Sequence, residues 1–532
     1  MFDYVAHGLI ESRQKLPLPG AGAQTIGAVL DRQLASDGGR LALVGRSGRL
    51  TYTELDERAN RFAAVFRQQG IGRYDRVAAC LPNDVDIVIA LLACARLGAI
   101  WVGVNRPLAP PEKAYLLTDC AARLYLTDVQ GLAEIAPQQV GDLAGLDTLD
   151  VAALRQAADQ LPGVSRCNDW VDSFEPAAIA YTSGTTGQPR GAVHSHHNVL
   201  LPGAIQAFEQ NFGADCHQGV MLPLTILNLM VLAPMTAFQD GSACVCMDSL
   251  KPQDIARWVR DEKVGHFASV PTVIQDLLTA PDVNPADLAT LGRPDIGGAG
   301  IAQSFQQLYR ARFGRCMTVA YGMTEAPTIV SKTDADREPE EELCGRAVAQ
   351  VDIVVVDGDD RPLPPGEIGE ICVRPATDGP YANVYTTMLG YWNNAEATSH
   401  ALRNGMYHTG DLGLLDEHGE LYIRGRSKEL IIRGGANVYP AEVERALIAH
   451  PAVQDAAVLG VDDARLGQRV VAAVELVPQV AVEPDTLERD LQDWCAARLA
   501  RYKVPAQLQV VDTLPRNAMN KVIKPRLGSL FD

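Results

Sequence analysis

A chain of 532 residues, 47% hydrophobic and 21% charged, has the composition of an ordinary globular protein and is long enough for more than one domain, since single cores stop growing near ~250–300 residues. Its formal net charge of −18 argues against nucleic acid as a partner, because phosphate-backbone binding relies on clustered Lys and Arg. Small anionic ligands stay open, because donors gathered locally override the global field. The 11 cysteines are scattered, with Cys244 and Cys246 a lone CxC, and read as reduced core thiols of a cytoplasmic protein. The opening MFDYVAHGLIESRQK lacks a basic end leading into an apolar run, so no secretory signal is expected.

From residue 40 to 130 helix-like and strand-like pieces alternate. LTYTELDERANRFAAVFRQQG has a Thr before its amphipathic run and a Gly after it, which are helix start and stop signals. RVAACLP and RLYLTD are short apolar runs suited to buried strands. Between them, IVIALLACARLGAIWVGV is interrupted by Arg96 and reads as a buried helix running into a strand; no integral membrane segment is expected. Such alternation favours helices packed on a largely parallel sheet. LKPQDIARWVRDEKVGHFASVPTVIQDLLTA repeats the pattern.

Near residue 350 the texture changes. VDIVVVDGDDRPLPPGEIGEICVRP and GLLDEHGELYIRG each place β-rich runs around a Gly-containing turn, which is a hairpin signal. After GRSKELIIRGG, the stretch NVYPAEVERALIAHP predicts a helix that Pro440 starts and Pro451 stops. AVLGVDD, RVVAAVELV and a helix over roughly 485–500 complete a compact α+β domain.

The chemistry-bearing stretch is YTSGTTGQPRGAVHSHHNVL, residues 181–200. Backbone N–H groups freed by Gly184, Gly187 and Gly191 can converge on phosphate oxygens, and the hydroxyls of Thr182, Ser183, Thr185 and Thr186 add small donors. The spacing is not that of a Walker P-loop, and a Gly/Thr loop alone equally describes a polar turn. Downstream stand YGMTE (321–325), YHTGD (407–411), GRSKE (425–429) and PRNAMNK (515–521). Bringing a carboxylate to the α-phosphate of ATP joins two anions, which requires a cation and Mg²⁺. Glu325 is a hard oxygen ligand, Asp411 can accept from ribose hydroxyls, Tyr321 can stack on adenine, and Lys521 supplies a mobile point charge.

At these residues the chain resembles the adenylate-forming (AMP-binding) superfamily of acyl-CoA synthetases, nonribosomal adenylation domains and beetle luciferases, from about residue 25 onward. The resemblance implies an α/β fold: a large N-terminal domain of two α/β subdomains plus a β-barrel-like subdomain over 1–427, and a small mobile α+β C-terminal domain over 428–532. It implies that Thr182, Ser183, Gly184, Thr185, Thr186 and Gly187 hold the pyrophosphate portion of ATP, with Arg190 beside them and Thr182 near the metal. Gly298, Ala299 and Gly300 would border adenine and the acyl carboxylate, next to Tyr321, Gly322 and Met323. Thr324 would touch the α-phosphate and Glu325 the Mg²⁺. Asp411 and Arg426 would fix the ribose, and Ile423 would cover adenine. Lys428 would be the hinge. Lys521, with Glu325 and Thr185, would carry catalysis. Gly434 and Gly435 would line the pantetheine tunnel.

Three positions depart from the pattern. Arg190 stands where Lys is usual, and Asn520 replaces the Gly before Lys521. In LPLTILNLM (222–230), Ile226 occupies the position where many relatives carry a gating His. Ile226, Leu227, Leu229 and Met230, with Gly300 and Met323, make an apolar acyl pocket the expectation, with core packing the alternative for the first four. His194, His196 and His197 lack a supporting acid or Cys at ligand spacing, so metal binding is not expected of them. His408 reads as a packing residue rather than a base.

The expected activity is an AMP-forming acyl-CoA synthetase that uses ATP, Mg²⁺ and CoA on an apolar carboxylic acid; a homodimer is compatible with it. A stand-alone enzyme loading an amino or aryl acid onto a carrier protein is the runner-up, although LPLTILN offers no acid for a substrate ammonium and no carrier domain is expected after residue 532. A nucleotide-binding regulatory protein that has lost turnover is the alternative of another class.

Overall fold

The computed structural model describes residues 2–12, 15–20, 22–136, 143, 145–161, 163–166, 171–182, 188–209, 212–213, 215–292, 294–297, 303–314, 316–334, 340, 342–463, 465–478, 484–516 and 522–531. Its contacts divide the chain into two compact units. The larger comprises Met1–Val354, Cys372–His408 and Gly419–Leu421; the smaller comprises Val355–Ile371, Thr409–His418 and Tyr422–Asp532.

One sheet of the larger unit runs, in spatial order, Gly390–Tyr391, Arg190–Ser195, Pro176–Thr182, Ile100–Gly103, Arg76–Cys80, Leu124–Thr127 and Asp147–Asp150. The last five pair in parallel, and their runs are apolar because helices cover such strands on both faces. The helix Val85–Arg96 between two of them is buried at every position. Its one long charge, Arg96, is 2% exposed and stays there because its guanidinium donates to Asn60 at 2.7 Å and to the Asp56 carbonyl at 2.9 Å, besides pairing with the Asp56 carboxylate.

Helix Tyr52–Gln68 begins at a full capping box. Thr51 Oγ1 accepts from the Glu54 N–H, and the Glu54 carboxylate accepts from the Thr51 N–H, satisfying two donors that the first turn leaves open. The helix closes before Gly70, whose φ is +77°, as the Thr and Gly punctuation predicts.

The second sheet of the larger unit contains the path Gly48–Thr51, Leu41–Gly45, Cys244–Cys246, His217–Val220, Val264–Ser269, Asp295–Gly297, Thr318–Met323, Ala326–Lys332 and Leu343–Ala347. Its buried side includes Val245, Val264, Phe267, Ile296 and the helix residues Ile255, Val259 and Ile274. The β-rich texture after residue 350 is present as Val351–Val356, Gly369–Pro375, Tyr407–Leu415 and Glu420–Arg426.

In the smaller unit, Val453–Asp463 and Gly467–Leu476 form a long antiparallel pair, and Gln507–Val511 joins the latter in parallel. Helix Pro440–Ile448 starts on Pro440 at its first position, where a missing N–H costs nothing. The expected helix near 485–500 spans Pro484–Ala496. Val443, Leu447, Leu487 and Leu491 of these helices bury against Val458, Val470 and Val474.

Candidate active site

The threonine-rich stretch lies between two antiparallel strands. Thr182 ends one, opposite Arg190, which opens the other. Thr182 is half-buried, and its hydroxyl lies 3.5 Å from the Arg190 carbonyl. One residue back, the Tyr181 phenol donates to Asp119, which anchors the strand end from below. Ser183, Gly184, Thr185, Thr186 and Gly187 lie outside the described residues, as do Gly298, Ala299, Gly300, Asn520 and Lys521.

Behind this hairpin stand three histidines with no solvent contact to speak of. Burial pushes His194 down to about 3 and His196 and His197 down to about 4. His194 lies against the Thr324 main chain. His196 Nδ1 accepts from the Ile26 N–H at 3.4 Å, and the His197 ring stacks on Phe174 at 4.8 Å. They are neutral packing groups.

Thr324 and Glu325 form the tip of a second hairpin, in which Met323 pairs with Ala326. Gly322 is required at its base, since a Cβ there would sit 2.7 Å from the Thr328 carbonyl. Tyr321, Met323, Thr324 and Glu325 are all half-buried. One Glu325 carboxylate oxygen accepts from the Tyr391 hydroxyl at 2.9 Å. The Arg190 guanidinium lies over the Tyr391 ring, 5.5 Å from its centre. Glu325 and Thr182 are hard oxygen donors without a competing thiolate or imidazole in the set, which suits Mg²⁺.

The segment carrying Ile226 is clamped from two sides. Asn83 donates to the Leu222 carbonyl and accepts from the Leu224 N–H, both at 2.8 Å. Asn228 donates to the Met323 carbonyl at 3.0 Å, tying this segment to the Glu325 hairpin. Gly103 has no room for a side chain: a Cβ would fall 1.9 Å from the Thr225 carbonyl. Leu227, Leu229 and Met230 are buried in the main core, whereas Ile226 is half-buried on its edge, as are Tyr321 and Met323. The turn Leu227–Met230 passes into a π-helical turn, Val231–Met235. Pro234 inside it has no N–H to donate, which breaks the regular ladder, and the Thr236 hydroxyl satisfies the Val231 carbonyl at 2.9 Å.

Within the smaller unit, Asp411 is buried and its carboxylate meets Arg426 Nε at 2.7 Å. Arg426 also donates to the Thr409 carbonyl at 3.3 Å, and the Thr409 hydroxyl accepts from the Asp411 N–H at 3.0 Å. Ile423 is half-buried and Lys428 exposed, in the short turn Ser427–Glu429. Gly434 and Gly435 form a two-residue hairpin tip between Ile431–Arg433 and Ala436–Val438, with φ of +59° and +85°. The left-handed backbone alone therefore favours glycine at both. In the larger unit, His408 is buried, 3.3 Å from the Cys372 thiol, a packing position.

Tyr391, Asn83 and Asn228 were not singled out by the sequence. The two asparagines sit in ordinary loop and helix contexts, and only their long-range carbonyl contacts mark them. GYW at 390–392 carries no local mark of its pairing with Ala192 and Val193.

These arrangements define an α/β protein with an acid-bearing hairpin beside a Gly/Thr-rich connection, and comparison with known proteins gives the family. Residues 30–392 match AMP-binding enzyme and residues 442–521 match AMP-binding enzyme C-terminal domain. The chain belongs to the AMP-binding enzyme family. It is 31% identical to the long-chain-fatty-acid–CoA ligase FadD13 of Mycobacterium tuberculosis, over 91% of this chain and 93% of that one. It is 32% identical to a feruloyl-CoA synthase of Amycolatopsis, over 91% and 94%. Among solved structures it resembles ATP-bound MatB from Rhodopseudomonas palustris, with TM-score 0.83, 29% identity and coverage of 96% and 99%. Among the described residues no helix is long and apolar enough to cross a membrane.

Proposed function

We infer that this chain is an AMP-forming acid–thiol ligase that activates an apolar carboxylic acid with ATP and passes the acyl group to CoA. The observation that carries the reading is the joining of the Glu325 hairpin to the strand that leads out of the threonine-rich stretch, through Tyr391. That arrangement sets the Glu325 carboxylate and the Arg190 guanidinium on one tyrosine, beside the strand that leaves the Gly/Thr stretch. The family match supports the reaction class.

In the first half-reaction the carboxylate attacks the α-phosphate of ATP, giving acyl-AMP and pyrophosphate. Residues 182–187 would hold the departing phosphates, Thr185 among them, with Arg190 at the base of the loop. Thr324 would donate to the α-phosphate. Glu325 and Thr182 would hold Mg²⁺, which supplies neutralisation of phosphate charge when bound. The Asp411–Arg426 pair would fix the ribose, with Ile423 and Tyr321 on the adenine faces and Gly298, Ala299, Gly300 and Gly322 along its edge. Lys521 would bridge carboxylate and phosphate. In the second, residues 428–532 turn about Lys428, Lys521 withdraws, and the thiol enters past Gly434 and Gly435 to attack the acyl carbonyl, releasing AMP. Two closures follow from the chemistry, since a lysine bridging the anions would block the thiol. The cytoplasm, where ATP and CoA are at hand, is the proposed location.

The apolar character of the acid rests on Ile226, half-buried at the core edge with Met323, and on the lack of any charged residue in 222–230. The relatives named for a long-chain fatty acid and for feruloyl are consistent with it. Pyrophosphate release measured over a panel of acids tests the reading. Fatty, alicyclic or aryl monocarboxylates are expected to lead; preference for a dicarboxylate or an amino acid would overturn the apolar pocket.

A further inference from the structure

The Glu325 carboxylate is held by a residue that none of the roles above includes. Tyr391 is 6% exposed, and its hydroxyl donates to Glu325 at 2.9 Å. Behind it stands Tyr407, 4% exposed, close to both Tyr391 and Glu325. A hydrogen bond from a buried, immobile hydroxyl orients the half-buried carboxylate it meets, because a charged acceptor gains most from a donor already held in place.

The other face of Tyr391 meets Arg190, whose guanidinium is 5.5 Å from the ring centre. The backbone secures the same residue independently: Tyr391 pairs with Ala192, and the Trp392 N–H donates to the Gly191 carbonyl at 2.7 Å. Gly191 is tight in its turn, since a Cβ there would lie 2.6 Å from Ile179. The strand Gly390–Tyr391 is therefore seated on the outgoing limb of the threonine-rich stretch while its side chain grips the metal-side acid.

We propose that Tyr391 is a positioning residue that sets the Glu325 carboxylate and the Arg190 guanidinium relative to one another, so that Mg²⁺ and nucleotide phosphate are received together. The inference deepens the proposed function and rests on its assignment of Glu325 to the metal.

Tyr391→Phe keeps the ring beneath Arg190 and deletes only the donor to Glu325. Binding of ATP is measured calorimetrically with Mg²⁺ and again with excess EDTA, alongside acid-dependent pyrophosphate release as a function of free Mg²⁺. Expected is a loss on the order of tenfold in the Mg²⁺-dependent part of ATP affinity, the usual scale for one hydrogen bond to a charged group. ATP binding in EDTA, the KM for the acid and the thermal midpoint, within about 2 °C, should stay as in the parent. In a Glu325→Gln background the same change should add nothing, because its acceptor's charge is gone.

Glu325→Gln alone separates the two readings. If it leaves Mg²⁺-dependent binding intact, the assignment of Glu325 to the metal falls. If it abolishes that binding while Tyr391→Phe leaves it untouched, the positioning role alone is overturned. Should Tyr391→Phe lower the thermal midpoint further, both affinities are measured again at a temperature where variant and parent are fully folded: a loss confined to the Mg²⁺-dependent part supports the proposal, and equal losses with Mg²⁺ and in EDTA refute it.

Discussion

His194, His196 and His197 show how a sequence feature that invites a metal turns out to be packing. Each ring is buried, and burial holds it neutral far below its ordinary value of 6.5, at about 3 for the first and about 4 for the others. The unfolded chain therefore binds more protons than the folded one between pH 6.5 and about 4, and stability falls as pH falls through that window. Each ring contributes a loss of about 2 kcal/mol between pH 7 and 5 at one proton's linkage. The urea midpoint should drop steeply over that range. His197→Phe, which can keep the stack on Phe174, should flatten the drop by roughly a third; an unchanged slope would mean that the histidines are not the groups that titrate. His194 lies nearest the site, against the Thr324 main chain, so acid-induced charging there should disturb the Glu325 hairpin first.

Among the elements, those legible in the sequence are the ones fixed by local chemistry. The Thr before the first amphipathic run, Gly70 after it, and Pro440 predict helix ends through the groups they satisfy or lack, and the helices Tyr52–Gln68 and Pro440–Ile448 begin and end accordingly. The last helix ends at Ala496 rather than near 500, since no Gly or Pro punctuates that stretch. Contacts between distant segments carry no such local mark. The pairing of Gly390–Tyr391 with Arg190–Ser195, the Asn228 bond to Met323 and the close pass of Gly103 under Thr225 depend on where whole strands come to lie. The hairpin tip at Gly434–Gly435 stands between these cases: its left-handed backbone explains both glycines without a ligand. Gly435→Asn discriminates, because Asn tolerates that conformation and a Cβ at this position meets nothing within 4 Å. If the tip borders the thiol's path, thioester formation should fall about tenfold while pyrophosphate release stays near the parent rate. Equal rates in both assays would leave the pair as a turn.

For the molecule as a whole, the family and the α/β architecture follow from motifs in order, because each motif's residue types answer one chemical need of a nucleotide. Asp411 with Arg426 and Thr182 with Arg190 are adjacent in the structure as the motif order suggests. The identity of the acid is not written locally in the same way: of the apolar residues expected to line its pocket, Leu227, Leu229 and Met230 belong to the core, and Ile226 and Met323 sit at its edge. The central claim is that a tail lysine and a threonine-rich cradle act on one triphosphate, and Lys521→Ala tests it most directly. With the best acid from the panel, acid-dependent pyrophosphate release should fall by a factor on the order of 10² or more, while ATP binding measured by calorimetry stays within about threefold. Release at the parent rate in the folded variant would contradict the account.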